Sequence, residues 1–295
     1  MGLAVIFAAL LLIACNGGDG DAGAGSTATE LPTGSQITPA PTDVQTTAPA
    51  GPRPLYLALG DSLSAGIGAS DELTRGWVGL VHAALPDWDL LNLGVPGDDS
   101  HELLQDGALD EGLRQIERRS SDSESGNEVG AITLEIGGND LLDVYFDLVI
   151  PGDCPSLVEA LQRDYCVSSL EGTLDAYRAN LAEALRRLSE AAPGTPLFLM
   201  TLYNPFSGGA SVVDEMGMLA LEGLAGTEFP EGLNDVIREV GAEAGVTVVE
   251  WYELFHGKQS EYVSLDLIHP NNAGHAVMAE AVIDAMAQAG LPVVD

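Results

Sequence analysis

A short polar turn directly after an apolar run places the strongest constraint on this chain. Residues 55–59 read Leu-Tyr-Leu-Ala-Leu, Gly-Asp-Ser-Leu follows at 60–63, and Ser-Ala-Gly follows at 64–66. A serine at the point where a buried strand turns into a helix has its hydroxyl at the sheet edge and its backbone N–H at a helix N-terminus. Ser62 therefore stands where a nucleophile is useful, although a serine there can also serve only as a helix cap.

Three later segments carry further polar residues that are suited to chemistry. They are Asn-Leu-Gly-Val-Pro-Gly-Asp at 92–98, Gly-Gly-Asn-Asp at 137–140 and Asp-Leu-Ile-His-Pro at 266–270. The last segment places a carboxylate three residues before a histidine, so one short loop can bring the two side chains together. A general base is needed if Ser62 is a nucleophile, and this histidine is a candidate.

Apolar runs and amphipathic stretches alternate from residue 54 onward, which predicts an α/β fold with a mostly parallel sheet covered by helices. The predicted strands are 55–59, 89–93, 131–136, 197–202 and 246–250. The predicted helices are 76–85, 100–119 with Ser100 as a plausible N-cap, 170–192, 233–244 and 273–289. Each polar segment follows a strand or enters a helix, and open α/β sheets form their sites at the carboxyl ends of strands.

The four segments, in this order, resemble those of the SGNH (GDSL) hydrolases, a family of esterases, lipases and lysophospholipase-like enzymes. The resemblance covers residues 54–295. It implies one hydrolase domain with a flavodoxin-like three-layer α/β/α sandwich, a mostly parallel five-stranded sheet, and no metal or organic cofactor. The chain lacks the Gly-x-Ser-x-Gly turn of the α/β-hydrolases around Ser62, which disfavours that alternative fold.

The resemblance also assigns a catalytic triad to this chain. Ser62 matches the nucleophile, His269 the general base, and Asp266 the carboxylate that orients the imidazole. Two nearby residues are rivals that we interpret as structural. Ser64 is the second serine of the first segment, and His275 lies inside the last predicted helix, where packing or capping is its expected role.

An oxyanion hole is the other part that the resemblance implies. Its expected donors are the backbone N–H groups of Ser62 and Gly97 and the side-chain amide of Asn139, with Gly94 as the less favoured glycine. A glycine suits this place because the backbone must approach the substrate closely. The two aspartates that remain in these segments are expected to hold loops through hydrogen bonds to backbone N–H groups: Asp61 and Asp140.

The N-terminal residues predict export. Residues 3–14 are apolar but too short to span a bilayer, as in a signal peptide, although no Lys or Arg precedes them. Leu-Ile-Ala-Cys at 12–15 resembles the lipobox of bacterial lipoproteins, with Cys15 as the lipidated residue; an ordinary secretory signal is the alternative. Residues 16–53 are rich in Gly, Ala, Thr and Pro, which predicts a disordered tether. We therefore expect an extracytoplasmic protein, lipid-anchored to the cell membrane or secreted.

Two cysteines remain once Cys15 is assigned to lipid. Cys154 and Cys166 flank an insertion rich in Pro, Gly and Asp, and an extracytoplasmic location permits a disulfide between them. A metal site is disfavoured because the local run contains no histidine. The insertion follows the third polar segment closely.

The charge of the chain limits its partners. Forty-five Asp and Glu residues face 11 Lys and Arg residues, which gives a net charge of -34. This argues against nucleic acid or an anionic membrane surface as a partner. A solvated acidic surface that keeps the protein soluble is the favoured interpretation, and adaptation to a saline habitat is the sharper alternative.

The expected substrate is a small-molecule or lipid ester, and its class stays open between two options. Lipid or lysophospholipid acyl esters are the first, and O-acetyl groups on polysaccharides are the second. The low aromatic content of 5% weighs against extended glycan binding. Residues 203–229 mix glycine with large apolar side chains and are either a substrate wall or packing on the sheet. A catalytically silent binding protein and a purely structural lipoprotein are the alternatives from other classes.

Overall fold

Five strands form one parallel sheet in the computed structural model. They are Leu55–Gly60 (β1), Asp89–Gly94 (β2), Val129–Glu135 (β3), Leu197–Met200 (β4) and Thr247–Val249 (β5). Their order in the sheet is β2-β1-β3-β4-β5, and every neighbouring pair is parallel. Each of the five predicted strands is present, with ends that differ from the prediction by at most two residues.

The structure describes residues 51–105, 107–122, 126–208 and 211–294. The predicted signal peptide and lipobox at 1–15, with Cys15, lie outside the described residues, as does nearly all of the predicted tether. Within the described ranges, no helix combines the length and the apolar character needed to cross a membrane.

Helices connect the strands in the described residues. They are Ser62–Ala65 (α1), Glu72–Arg75 (α2), Trp77–Ala83 (α3), Ser100–Gln105 (α4), Ala108–Ser120 (α5), Gly138–Val144 (α6), Leu157–Ala160 (α7), Asp164–Ala191 (α8), Val212–Glu222 (α9), Leu233–Ala244 (α10), Tyr252–Phe255 (α11), Gln259–Tyr262 (α12) and Asn272–Gln288 (α13). A π-helical turn, Tyr145–Val149, continues α6.

Alternate residues of β1 show how the sheet separates two helical layers. Leu57 and Leu59 belong to a core shared with α5, α8 and α10. Tyr56 and Ala58 belong to a second core shared with α3 and α13. Successive side chains of a strand point to opposite faces, so a strand buried on both faces is apolar at every position. The three-layer α/β/α sandwich with a parallel five-stranded sheet is therefore confirmed.

The predicted helix 100–119 is wrong as a single element. The structure divides it into α4 and α5 at Gly107, which has φ +93°. Ser100 is not the cap. Asp99 is, since its Oδ1 accepts the Glu102 N–H at 2.7 Å while Glu102 Oε2 accepts the Asp99 N–H at 3.2 Å, a reciprocal capping box.

The insertion after α6 is closed by a disulfide between Cys154 and Cys166, the predicted pair, with Cα atoms 6.1 Å apart. Cys166 lies in the first turn of α8, which begins six residues before its predicted start at 170. Both cysteines are buried and pack against Leu148, Val149 and Met216. The disulfide thus fixes the insertion onto α8 and the neighbouring α9.

Candidate active site

The turn that carries Ser62 is possible only with glycine at position 60. Gly60 has φ +148°, and a Cβ there would lie 2.1 Å from the Glu135 carbonyl oxygen and 2.4 Å from Ser64 Oγ. The chain then enters α1, whose first residue is the half-buried Ser62. Asp61 caps this helix, because its Oδ1 accepts the Leu63 N–H at 2.9 Å. Gly60 is therefore required by the close approach of the backbone, and Asp61 by the cap of α1.

Three predicted triad residues from distant parts of the chain are brought into one hydrogen-bonded line. His269 Nε2 lies 2.9 Å from Ser62 Oγ, and His269 Nδ1 lies 2.8 Å from Asp266 Oδ2. An ionised Asp266 only accepts, so Nδ1 carries the proton and Nε2 accepts from the serine hydroxyl. That arrangement lets the imidazole take a proton from Ser62.

The Asp266 carboxylate also organises its own loop. Its Oδ1 accepts from the Ser264 hydroxyl at 2.7 Å and from the backbone N–H groups of Ile268 and His269, both at 2.9 Å. Partial burial acts to raise the pKa of Asp266, but the hydrogen bonds from Ile268, His269 and Ser264 together lower it. The carboxylate consequently stays ionised beside the imidazole.

The same loop contains a backbone outlier. Leu267 has φ +67°, a left-handed conformation that costs a non-glycine residue roughly 1–2 kcal/mol. The bonds to Asp266 hold this turn, and the Tyr203 hydroxyl donates to the Ile268 carbonyl at 2.6 Å. An antiparallel bridge between Val263 and Pro270 closes the base of the loop. The tight turn places Asp266 and His269 on the same side.

The geometry distinguishes the two glycines that the sequence offered for the oxyanion hole. The Gly94 N–H donates to Asn92 Oδ1 at 3.0 Å, and a Cβ on Gly94 would lie 2.5 Å from the Ala65 nitrogen. Gly97 has φ +98° with open space where a Cβ would stand, and its N–H makes no hydrogen bond to the described residues. Gly97 is thus available to a ligand, while Gly94 is committed to packing.

Asn139 lies in the first turn of α6, directly after β3. Its Nδ2 donates to the Asp98 carbonyl at 2.7 Å and has a long 3.5 Å contact with Asp61 Oδ2. The short bond fixes the plane of the amide, and the weaker contact leaves its second N–H available to a substrate oxygen. The amide therefore suits the donor role predicted for it.

Asp61 and Asp140 hold loops, as predicted. Asp140 accepts from the Ser100 N–H at 2.9 Å and from the Ser100 hydroxyl at 2.5 Å, and Asn180 of α8 donates to that hydroxyl at 3.0 Å. Burial raises the pKa of Asp140 to about 6 despite these bonds. The sequence analysis did not predict the hydrogen bonds of Ser100 and Asn180 at this site, because no local pattern joins residues 80 positions apart.

The two rival residues are structural in the described fold. His275 is fully buried, its Nδ1 accepts the Trp77 N–H at 3.3 Å, and its Nε2 donates to the Ile67 carbonyl at 3.0 Å. Burial lowers the pKa of His275 to about 4, so the ring is neutral. Ser64 is also buried, with its hydroxyl 3.2 Å from the Leu59 carbonyl oxygen.

Known proteins are similar to this chain in fold or in sequence. The lipase Lip_vut3 from a goat rumen metagenome has a TM-score of 0.56 and 20% identity, covering 79% of this chain and 97% of its own. Phospholipase A1 from Streptomyces albidoflavus NA297 has a TM-score of 0.54 and 18% identity, covering 78% and 98%. The spore germination lipase LipC of Bacillus licheniformis is 25% identical over 230 residues, or 76% of this chain and 92% of that protein.

A sequence model for the GDSL-like lipase/acylhydrolase family matches residues 58–277, most of the chain and all four polar segments. This protein belongs to that family. The resemblance to the SGNH (GDSL) hydrolases is confirmed, whereas the lipoprotein signal stays a prediction.

Proposed function

We propose that this protein is a serine esterase that hydrolyses acyl esters through an acyl-enzyme intermediate. The observation that carries the proposal is the line from Ser62 Oγ through the His269 imidazole to Asp266, with both contacts under 3 Å. Ser62 attacks the ester carbonyl as His269 takes its proton, and His269 returns that proton to the departing alcohol. Water, activated by the same imidazole, then releases the acid and frees Ser62.

The negative oxygen that forms at each step needs donors already in place. The backbone N–H groups of Ser62 and Gly97 and the Asn139 amide are the proposed three. Asn139→Ala should lower kcat by roughly 10²–10³-fold, equivalent to about 2.7–4 kcal/mol, with a smaller change in KM. Steady-state kinetics test this. A rise in KM by the same factor with kcat unchanged would show instead that Asn139 only binds the substrate.

Exposed apolar side chains beside the site support a lipid-like acyl ester as the substrate. Three of the eleven exposed large apolar side chains in the described residues lie within two residues of a proposed site residue. Leu265 and Leu267 flank Asp266, and Val95 lies beside the Gly97 loop. Leu265 is fully exposed. Exposed apolar side chains near a site favour an apolar partner, and the low aromatic content offers few rings for sugars to stack on.

Hydrolysis of p-nitrophenyl esters from acetate to palmitate tests the activity and the substrate class together. We expect turnover with an optimum at medium or long chains. An optimum at acetate would favour the O-acetyl esterase alternative. A folded protein that neither hydrolyses any ester of the series nor reacts with a fluorophosphonate would contradict the proposed function and favour a silent binding protein.

We also propose that the protein is exported and anchored through Cys15. Support comes from the lipobox-like Leu-Ile-Ala-Cys and from the disulfide, which requires an oxidising compartment to persist. Metabolic labelling with an alkyne fatty acid should mark the full chain but not Cys15→Ser. Equal labelling of both would exclude this anchor, and no labelling of either would leave an unlipidated secretory protein.

A further inference from the structure

Two buried carboxyl groups lie side by side behind the nucleophile. Glu135 ends β3, where it is the register partner of Gly60 on β1, and Asp61 follows Gly60. Glu135 is 0% exposed and Asp61 is 2% exposed. The two carboxyl groups are close enough to shift each other's pKa, Glu135 Oε2 accepts from Ser64 Oγ at 3.3 Å, and the buried Glu135 Oε1 has no hydrogen-bond partner among the described residues. No step of the proposed hydrolysis uses Glu135.

The charges around this pair decide its protonation state. In the described residues, no ion pair joins either carboxyl to Lys or Arg. Two buried negative charges this close are strongly disfavoured, and two carboxyl groups can hydrogen-bond each other only if one of them carries a proton. The pair must therefore hold one proton at neutral pH, as coupled carboxyl pairs do elsewhere.

The surroundings place that proton on Glu135. Burial, followed by the charge of Asp61, raises the pKa of Glu135 well above its ordinary value. Burial raises the pKa of Asp61 only to about 6, because the Leu63 N–H, the bond to Glu135 and the nearby His269 counteract it, while Asp140 adds a small rise.

Two phenols also face the pair, from α8 and from the segment after β4. Burial raises the pKa of Tyr177 and of Tyr203 well above the ordinary value, so both stay neutral. The Tyr177 hydroxyl donates to the Ile136 carbonyl at 2.8 Å, and the Tyr203 hydroxyl donates to Ile268. Neither phenol supplies a charge that would ionise Glu135.

We propose that Glu135 is a neutral carboxylic acid whose O–H donates to Asp61, and that this bond positions the nucleophile turn and the oxyanion amide. Asp61 is the link, since its Oδ1 accepts the Leu63 N–H and its Oδ2 faces the Asn139 amide. Glu135 touches no substrate and is a positioning residue. The proposal rests on the proposed esterase function for its kinetic consequence, but not for the protonation state itself.

Two substitutions at Glu135 distinguish three possible roles of its side chain: a neutral hydrogen-bond donor, a negative charge, and a group that only fills space. Glu135→Gln keeps a donor toward Asp61 and an acceptor toward Ser64. Glu135→Leu fills similar space but leaves Asp61 without its donor. We expect Glu135→Leu to lower kcat by roughly 10- to 100-fold with little change in KM, because misplaced groups act on the transition state. Glu135→Gln should recover most of this loss.

The control is Thr133→Val. Thr133 lies two residues earlier on the same strand and the same face, is fully buried, and hydrogen-bonds the Tyr56 hydroxyl at 3.0 Å. This variant removes a buried polar contact away from Ser62, so it should lower the melting temperature and leave kcat unchanged. A kcat loss in Thr133→Val equal to that in Glu135→Leu would reduce Glu135 to a general packing role.

The pH dependence of stability tests the proton independently of catalysis. Above the ordinary pKa of glutamic acid the unfolded chain loses this proton and the folded protein keeps it, so folding stability falls as pH rises. Glu135→Gln has no such proton. We therefore expect the melting temperature of Glu135→Gln minus that of the wild type to increase progressively from pH 5 to pH 9.

The outcomes separate this proposal from the proposed function. If the two melting curves stay parallel across pH, Glu135 is ionised in the folded protein and the proposal is overturned. If Glu135→Gln loses as much kcat as Glu135→Leu, a negative charge is what matters and the proposal also fails. If the melting temperatures of the wild type and Glu135→Gln diverge with pH but the protein has no esterase activity, the neutral Glu135 is supported and the proposed esterase function is rejected.

Discussion

Replacing Ser62 with alanine should lower kcat by roughly 10⁶-fold, the effect of removing the serine from a triad whose members act as a unit. The variant keeps the backbone N–H of residue 62 and the buried turn around it, so the fold should be unchanged. What disappears is the oxygen that lies 2.9 Å from His269 Nε2. Ester hydrolysis and labelling by a fluorophosphonate should be lost together.

Ser121→Ala is the matched control for this result. Ser121 is exposed at the end of α5, and its hydroxyl donates to the Glu117 carbonyl at 2.7 Å. This variant should retain full turnover and labelling. Persistent labelling of Ser62→Ala at the wild-type rate would mean that another serine is the nucleophile.

Replacing His269 with alanine should cost about as much as the loss of Ser62, again roughly 10⁶-fold in kcat. Without the imidazole, none of the described residues is left in hydrogen-bond contact with Ser62 Oγ to accept its proton. Asp266→Ala should be milder, roughly 10⁴-fold, because the base remains and loses only its orienting carboxylate. Asp266→Ala should also lower the melting temperature, since the Leu267 turn loses its acceptor.

His101→Ala provides the histidine control, because His101 is exposed on α4. It should behave like the wild type in kcat and in melting temperature. The order His269→Ala, then Asp266→Ala, then His101→Ala in severity is the expected result. A larger kinetic loss from Asp266→Ala than from His269→Ala would contradict the assignment of His269 as the base.

The sequence predicted the strands well because their signals are local. β1 is a continuous apolar run and β3 is apolar except for Thr133 and Glu135, which agrees with the burial of both strands on both faces. The four polar segments led to Ser62, Gly97, Asn139, Asp266 and His269, and the structure brings Ser62, Asp266 and His269 into hydrogen-bonded contact. Parallel topology explains the placement of Ser62, Gly97 and Asn139, because they follow the neighbouring strands β1, β2 and β3 and the carboxyl ends of such strands lie at one edge.

The failures come from contacts between distant residues. Ser100 resembles an N-cap in the sequence, but its hydroxyl donates to Asp140, and Asp99 is the residue that caps α4. Glu135 reads as one polar residue at the end of an apolar strand, and only the register of β3 beside β1 shows that it meets Asp61. Such pairings depend on tertiary packing, which local propensity and periodicity do not encode.

The two halves of the site differ in how firmly the rest of the molecule holds them. The proposed oxyanion donors Ser62, Gly97 and Asn139 lie within four residues of the ends of β1, β2 and β3. The 263–270 loop, with Asp266 and His269, is held by the Val263–Pro270 bridge, by turn bonds within the loop, and by the hydrogen bonds of Ile268 to Tyr203 and of His269 to Ser62. Local opening therefore costs less free energy than global unfolding. We therefore expect inactivation on heating to begin at this loop, with His269 leaving Ser62 while the sheet is still intact.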